Sequence, residues 1–325
     1  MIDRLDAWYR RTGANLPHGD PLPFHGAQME GYFWRVTDVE SGRVVVVLCG
    51  INRHPAGDWA TVAIAAAPGG FVRSAVLPFA HSRRDAFVVT AGDGAFRATA
   101  EEVHVDLGDG AVVDLSLDTT VGWPHALGAG GLFSAVPFLG QYWHPHVLGG
   151  AVSGQATVGT QHWSFRGADI YAEKNWGAGF PEHWWWGQAQ GFERPDVCVA
   201  FGGGRLTAGP LAFTVGGAVV RVGDRVIRFA PPFSTVRSST DGTRWVVDAR
   251  GHGCKLHLVG VGVDRPHVLP VPLPAERRNI DTDLEFLTGE LTMELTGAVQ
   301  YRGVTSLAGL ETGHRPASAG PTTGV

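Results

Sequence analysis

The chain predicts an all-β fold made of antiparallel strands, and three features of the sequence carry that expectation. Short apolar runs recur between Gly, Pro or Asp turns, hairpin signals sit between them, and no amphipathic helix of ordinary length stands out. The runs, in order, are Arg43 to Cys49, Trp59 to Ala66, Ala86 to Thr90, Ala111 to Leu117, Val197 to Phe201, Ala218 to Val222, Arg225 to Phe229, Trp245 to Ala249 and Lys255 to Val261. The turns A-G-D-G-A (91–95), L-G-D-G-A (107–111) and S-T-D-G-T (239–243) place glycine where a tight hairpin needs positive φ. The short segment Met1 to Arg11 is the best helix candidate. Hairpins at this spacing imply sandwiches or barrels, and 325 residues suit two β units better than one. We divide the chain into a lead segment (1–24), a first unit (25–180), a second unit (181–310) and a disordered tail (311–325). Each unit has room for the eight or so strands that close around a small ligand. The apolar, Gly/Pro-broken stretch from Trp123 to Pro145 interrupts the rhythm and reads as a lid or pocket wall.

Composition narrows the function. Apolar content of 44% against 18% charged describes a chain with a sizeable core. Net charge is −5 with no basic run, so neither nucleic acid nor an anionic membrane surface is an implied partner. No stretch approaches a membrane span, and the N-terminus lacks the apolar core of a signal peptide. Cys49, Cys198 and Cys254 lie in apolar runs and read as buried thiols of a cytoplasmic protein.

The segment D-I-Y-A-E-K-N-W-G-A-G-F-P-E-H-W-W-W-G-Q (169–188) holds four of the eleven tryptophans. Read as a strand, it sets Asp169, Tyr171, Glu173 and Asn175 on one face and Ile170, Ala172, Lys174 and Trp176 on the other. Acids and a phenol on one face, leading into an aromatic cluster, suit a chamber that protonates an apolar molecule. A solvated strand face followed by a Trp-rich core corner explains the same pattern. The pair His144 and His146 in H-P-H could ligate a metal, but no further ligand stands at a metal-motif spacing, and we assign none. The glycines of F-G-G-G-R-L (201–206) lack the strand–helix context of a dinucleotide site and read as a bulge or turn.

The run Y-A-E-K-N-W-G-A-G-F-P-E-H-W-W-W-G-Q resembles the central signature of the tocopherol cyclase family. F-H-G-A-Q-M-E-G-Y-F-W-R-V (24–36), H-P-H-V-L-G-G-A-V-S-G (144–154), F-G-G-G-R-L and L-T-G-E-L-T-M-E-L (287–295) resemble its other segments in order. The resemblance implies two tandem lipocalin-like (calycin-type) β-barrels and cyclisation of a prenylated hydroquinone or phenol. Carotenoid hydratases are similar at greater distance. In that branch an acid and a tyrosine before N-W-G, with an upstream histidine, protonate an alkene. The matching positions are Tyr171, Glu173 and either His144 or His146. The motif positions Lys174 and Asn175, and Glu30 of the first strand, join the substrate-binding set by the same resemblance.

Such a cyclisation needs no cofactor. An alkene accepts a proton, and the neighbouring phenol oxygen captures the tertiary cation. A carboxylic acid in a water-poor pocket stays protonated near neutral pH and can donate. Glu173 is the first choice and Asp169 the reserve. Indole faces stabilise the cation by about 0.5–2 kcal/mol per contact, for which Trp143, Trp176, Trp184 and Trp186 are candidates. A neutral imidazole of His144 or His146 is suited to take the phenol proton. Tyr171 would orient the substrate hydroxyl. The partner expected is a hydrophobic prenylated small molecule, which leaves peripheral contact with a membrane open. Three other readings stand beside the cyclase: an alkene hydratase, a pericyclase, and a non-catalytic lipocalin-like carrier.

Overall fold

The computed structural model describes residues 26–315 apart from 126, 137, 138, 209 and 210. The expected lead segment, the Met1 to Arg11 helix candidate and most of the expected tail lie outside the described residues. The all-β class of two tandem lipocalin-like units holds. The first sheet is built from β1 (Met29–Asp38), β2 (Arg43–Asn52), β3 (Trp59–Ala67), β4 (Phe71–Pro78), β5 (His81–Ser82) and β6 (Val88–Ala91). It continues through β7 (Phe96–Thr99), β8 (Glu102–Asp106), β9 (Ala111–Gly122), β10 (Gln141–Val158) and β11 (Gln161–Gly177). The second contains β12 (His183–Ala189), β13 (Val197–Ala208), β14 (Leu211–Val222), β15 (Arg225–Phe229) and β16 (Ser234–Thr240). It is completed by β17 (Arg244–Gly251), β18 (Cys254–Val261), β19 (His267–Leu273), β20 (Arg278–Gly297) and β21 (Tyr301–His314).

The three turn signals all sit in hairpins, between β6 and β7, β8 and β9, and β16 and β17. Strand β21 runs to His314, so part of the expected tail is ordered strand, paired with β12 and β20. The chain order within each sheet is largely a meander, broken where β11 pairs β1 and where β21 pairs β12. The hydrogen-bonded path of the first sheet ends on β4 and β5, and that of the second on β15 and β16. Each sheet is therefore curled rather than joined edge to edge.

Side-chain alternation decides what each sheet encloses. In β1 and β2, Tyr32, Trp34, Val36, Val45 and Val47 turn into the first sheet and meet Ile64, Phe96, Val113, Phe165 and Ile170. The second sheet closes over Phe201, Val220, Trp245, Leu258, Met293 and Leu310. These interiors are filled by large side chains, which corrects the expectation of a ligand inside each unit. The seam between the sheets is apolar too. Val44, Val46 and Ala65 on the outer face of the first sheet pack against Leu269, Leu287 and Leu307 of the second. A fully buried Val or Leu contributes about 1.5–3 kcal/mol, so this seam is a substantial part of the fold. Strand β3 is buried at all nine positions because both its faces are covered.

Arg35, wholly buried on β1, reaches across the same seam. The pairing of β20 with β21 slips between Phe286 and Leu291. One Arg35 nitrogen donates to the carbonyls of Leu287 and Leu307 at that irregularity, both at 2.7 Å.

Candidate active site between the sheets

A cleft of about 200 Å³, partly open to solvent, lies between the two sheets and takes walls from both. The first sheet contributes Phe33, Trp143, Glu173 and Asn175, and the second contributes Trp184, Trp186, Asp283 and Glu311. The broken stretch after Trp123 supplies Ala129, Phe133 and Ser134 from around a 3₁₀ turn (Gly131–Ala135), so it does form a wall of the cleft.

Glu173 lies on β11 between Phe33 of β1 and Pro145 of β10, and is only 6% exposed. Three donors converge on its Oε2. The Tyr171 hydroxyl donates at 2.5 Å, the Trp143 indole at 2.8 Å and the Trp186 indole at 2.9 Å. Tyr171 reaches it because residues two apart on a strand share a face. Trp186 comes from the second sheet, so the carboxyl forms only where both sheets meet. Burial raises the Glu173 carboxyl above its ordinary range, against the lowering effect of the three donors. Indole N–H groups only donate, so Oε2 is filled and a proton on this carboxyl sits on Oε1. Among the described residues no hydrogen bond ends on Oε1.

The remaining sequence candidates separate into two groups. Trp143, Trp184, Trp186 and Asn175 line the cleft with Glu173. Asn175 fits because Gly31 faces it: a Cβ at position 31 would stand 2.3 Å from its side-chain oxygen. Trp184 lies flat over Gly313 in the same way. Tyr171 is fully buried behind Glu173 and does not line the cleft, so it contacts the acid rather than a substrate hydroxyl. Trp176 faces away from the cleft and stacks on Tyr142, with centroids 5.4 Å apart. Lys174 is buried within the first sheet, its ammonium 5.1 Å from the Trp176 ring and 5.7 Å from Tyr32. Glu30 accepts from Tyr32 at 2.7 Å and from Arg53 at 3.1 Å, an internal brace of the first sheet.

The histidines also lie elsewhere. His144 pairs with Lys174 and meets Trp123 edge-on at 5.1 Å. His146 sits where the β10–β11 register shifts, against Phe87 at 5.6 Å. Burial, helped by Lys174, lowers its imidazole to about 3. Neither lines the cleft. Asp169 is half-buried beyond it, its carboxyl raised to about 6 by burial and held down by Arg221.

What the sequence reading missed is a second set of carboxyls. Asp283 on β20 and Glu311 on β21 line the cleft, with Glu285 behind them. The Trp184 indole donates to Glu311, and Asp283 shares a hydrogen bond with it. Burial raises Glu311 to about 7, and burial first, with the charges of neighbouring acids added, raises Asp283 and Glu285 well above the ordinary carboxylate range. A carboxyl raised in the folded state binds its proton more tightly there than when unfolded, so it destabilises the fold as pH rises. For Glu311 that loss runs from about 4.5 to about 7. Thermal melting across this window should show wild-type stability falling with pH, and Glu311→Gln should flatten the slope.

Residues 111–314 match a family model described as tocopherol cyclase-like. Over 93 residues the chain is 33% identical to a protein named probable tocopherol cyclase, chloroplastic, from Oryza sativa subsp. japonica. That match covers 29% of this chain and 17% of the rice protein. The tocopherol cyclase, chloroplastic, of Zea mays is 30% identical over 97 residues, 30% of this chain and 18% of that one. The chain thus matches less than a fifth of the length of these curated relatives. Among solved structures, CghA with Sch210972 superposes with a TM-score of 0.60 at 13% identity, covering 89% of this chain and 88% of that one. Kievitone hydratase from Nectria haematococca gives 0.52 at 14% identity, with 90% of each chain covered. At such identities these likenesses concern the fold.

Proposed function

The chain belongs to the tocopherol cyclase-like family, and on that premise we propose that it closes a prenylated hydroquinone or phenol into a chroman ring. The reaction is an isomerisation started by protonating an alkene in the cleft between the sheets, so it draws on no redox cofactor. Glu173 is the acid. The observation that carries the reading is the buried Glu173 carboxyl with every donor on Oε2 and burial favouring its protonated form. The proton then stands on Oε1, beside a cavity of apolar and indole walls.

The cation that follows is flanked by Trp143, Trp184 and Trp186, whose ring faces stabilise positive charge without bonding to it. Phe33 and Phe133 add apolar surface that suits a prenyl chain. The substrate's tail would be drawn from a membrane, and Leu132, 45% exposed on the same 3₁₀ turn as Phe133, suits that contact.

Hydration is the second reading, favoured by the partly open cleft, since water entering there could capture the same cation. Incubation of the protein with prenylated hydroquinones in heavy water tests both. Cyclisation is expected to give an isomer of the substrate carrying one carbon-bound deuterium. A product heavier by one molecule of water would establish hydration instead. A product without carbon-bound deuterium would remove the acid mechanism altogether.

A further inference from the structure

The cleft contains a second carboxyl centre that the proposed protonation does not use. Asp283 and Glu311 lie on adjacent strands of the second sheet, and both line the cleft. Glu311 is the cross-strand neighbour of Trp186, the residue whose indole holds Glu173, and its other neighbour is Glu285. The two centres therefore stand on either side of one tryptophan. Asp283 is 7% exposed, lines the cleft, and its buried Oδ1 has no hydrogen-bond partner. An orphaned buried oxygen is costly; Oδ1 is itself covered in this structure, and the side chain that carries it lines the cleft.

We infer that Asp283 binds the substrate hydroxyl and that Glu311 accepts its proton as the ring closes, making this pair the base opposite the Glu173 acid. The inference rests on the cyclase reading of the cleft. Glu173 transfers its proton to the less substituted alkene carbon, and the hydroxyl oxygen forms its bond to the tertiary carbon. The O–H bond breaks and the proton passes to Glu311. Glu173 is left ionised and Glu311 protonated, and a proton returns from the pair or from solvent before the next turnover. No electrons are gained or lost. The hydrogen bonds around Glu311 suit it to accept a proton. The Trp184 indole and the Asp283 hydrogen bond both favour ionised Glu311, and its pKa of about 7 keeps a large ionised fraction near neutral pH.

The test uses a prenylated hydroquinone and its methyl ether at the ring-closing oxygen. The ether has no proton to lose, so it reports only reversible alkene protonation, as deuterium uptake from heavy water. Glu311→Gln is expected to slow cyclisation of the hydroquinone by about 100-fold or more while deuterium uptake into the ether stays near the wild-type rate. Glu173→Gln should abolish both. If Glu311→Gln cyclises at the wild-type rate while Glu173→Gln does not, the inference fails and the cyclase reading stands. Loss of ether exchange in Glu311→Gln also overturns it, because the pair would then serve protonation itself. If Glu173→Gln keeps both activities, Glu173 is not the acid and the opposed acid–base assignment falls with it, while the cyclase reading stands. Should Glu311→Gln fail to fold, Asp283→Asn carries the test. The base role predicts a shifted low-pH limb of kcat, and a limb left in place overturns it.

Discussion

Glu173→Gln should lower the rate of cyclisation by about 10²–10⁴-fold, the range a positioned general acid supplies, while substrate binding survives. The amide is nearly isosteric with the carboxyl. Its oxygen can still accept from Tyr171, Trp143 and Trp186, so the three donors are not left unpaired. What is lost is the transferable proton on the other atom. The measurement is kcat with substrate in excess, with Kd for the same prenylated hydroquinone from fluorescence quenching of the cleft tryptophans. Undiminished kcat would exclude Glu173 as the acid. A parallel collapse of binding would mark it as a structural residue instead.

Arg35→Met should destabilise the protein by about 2 kcal/mol or more, because two buried carbonyls lose their donor at about 1–3 kcal/mol each. Arg35 is wholly buried, and its guanidinium is lowered to about 10 by that burial while Glu285 raises it. Removing it strands the Leu287 and Leu307 carbonyls at a place where the β20–β21 ladder is irregular. It also removes the cation that favours ionised Glu285. Lysine should not rescue it, because one ammonium on a flexible stem lacks the planar fork of guanidinium. Urea unfolding checks the prediction through a lower midpoint. The double variant Arg35→Met, Glu285→Met should recover part of the loss, and no recovery would mean that Glu285 is not the relevant partner.

Local sequence pattern carried much of this fold and only part of the cleft. Alternation on β11 separated Glu173 and Asn175 from Lys174 and Trp176, and those pairs do face opposite ways. Turn chemistry located hairpins because glycine and aspartate set φ over a few residues. The acids of the second sheet were hidden for a physical reason. In D-T-D-L-E-F (281–286), acids alternating with other residues look the same whether that face meets water or another sheet. The groups beside Asp283 and Glu285, among them Arg35 and the paired strand β21, lie elsewhere in the sequence. A signal for the seam was present in β3, W-A-T-V-A-I-A-A-A, since an apolar run without alternation marks a strand covered on both faces. The displacement of His146 comes from a register shift that spacing alone does not reveal.

The crowding of Oε2 by three donors has a stereochemical consequence. Acid in free solution attacks a double bond from above or below with equal ease and yields a racemate. A hydrogen confined to Oε1 on one wall reaches a pinned alkene from a single side. With the attacking oxygen pinned as well, the new quaternary carbon should form as one enantiomer, and a deuterium label beside it should have one relative configuration.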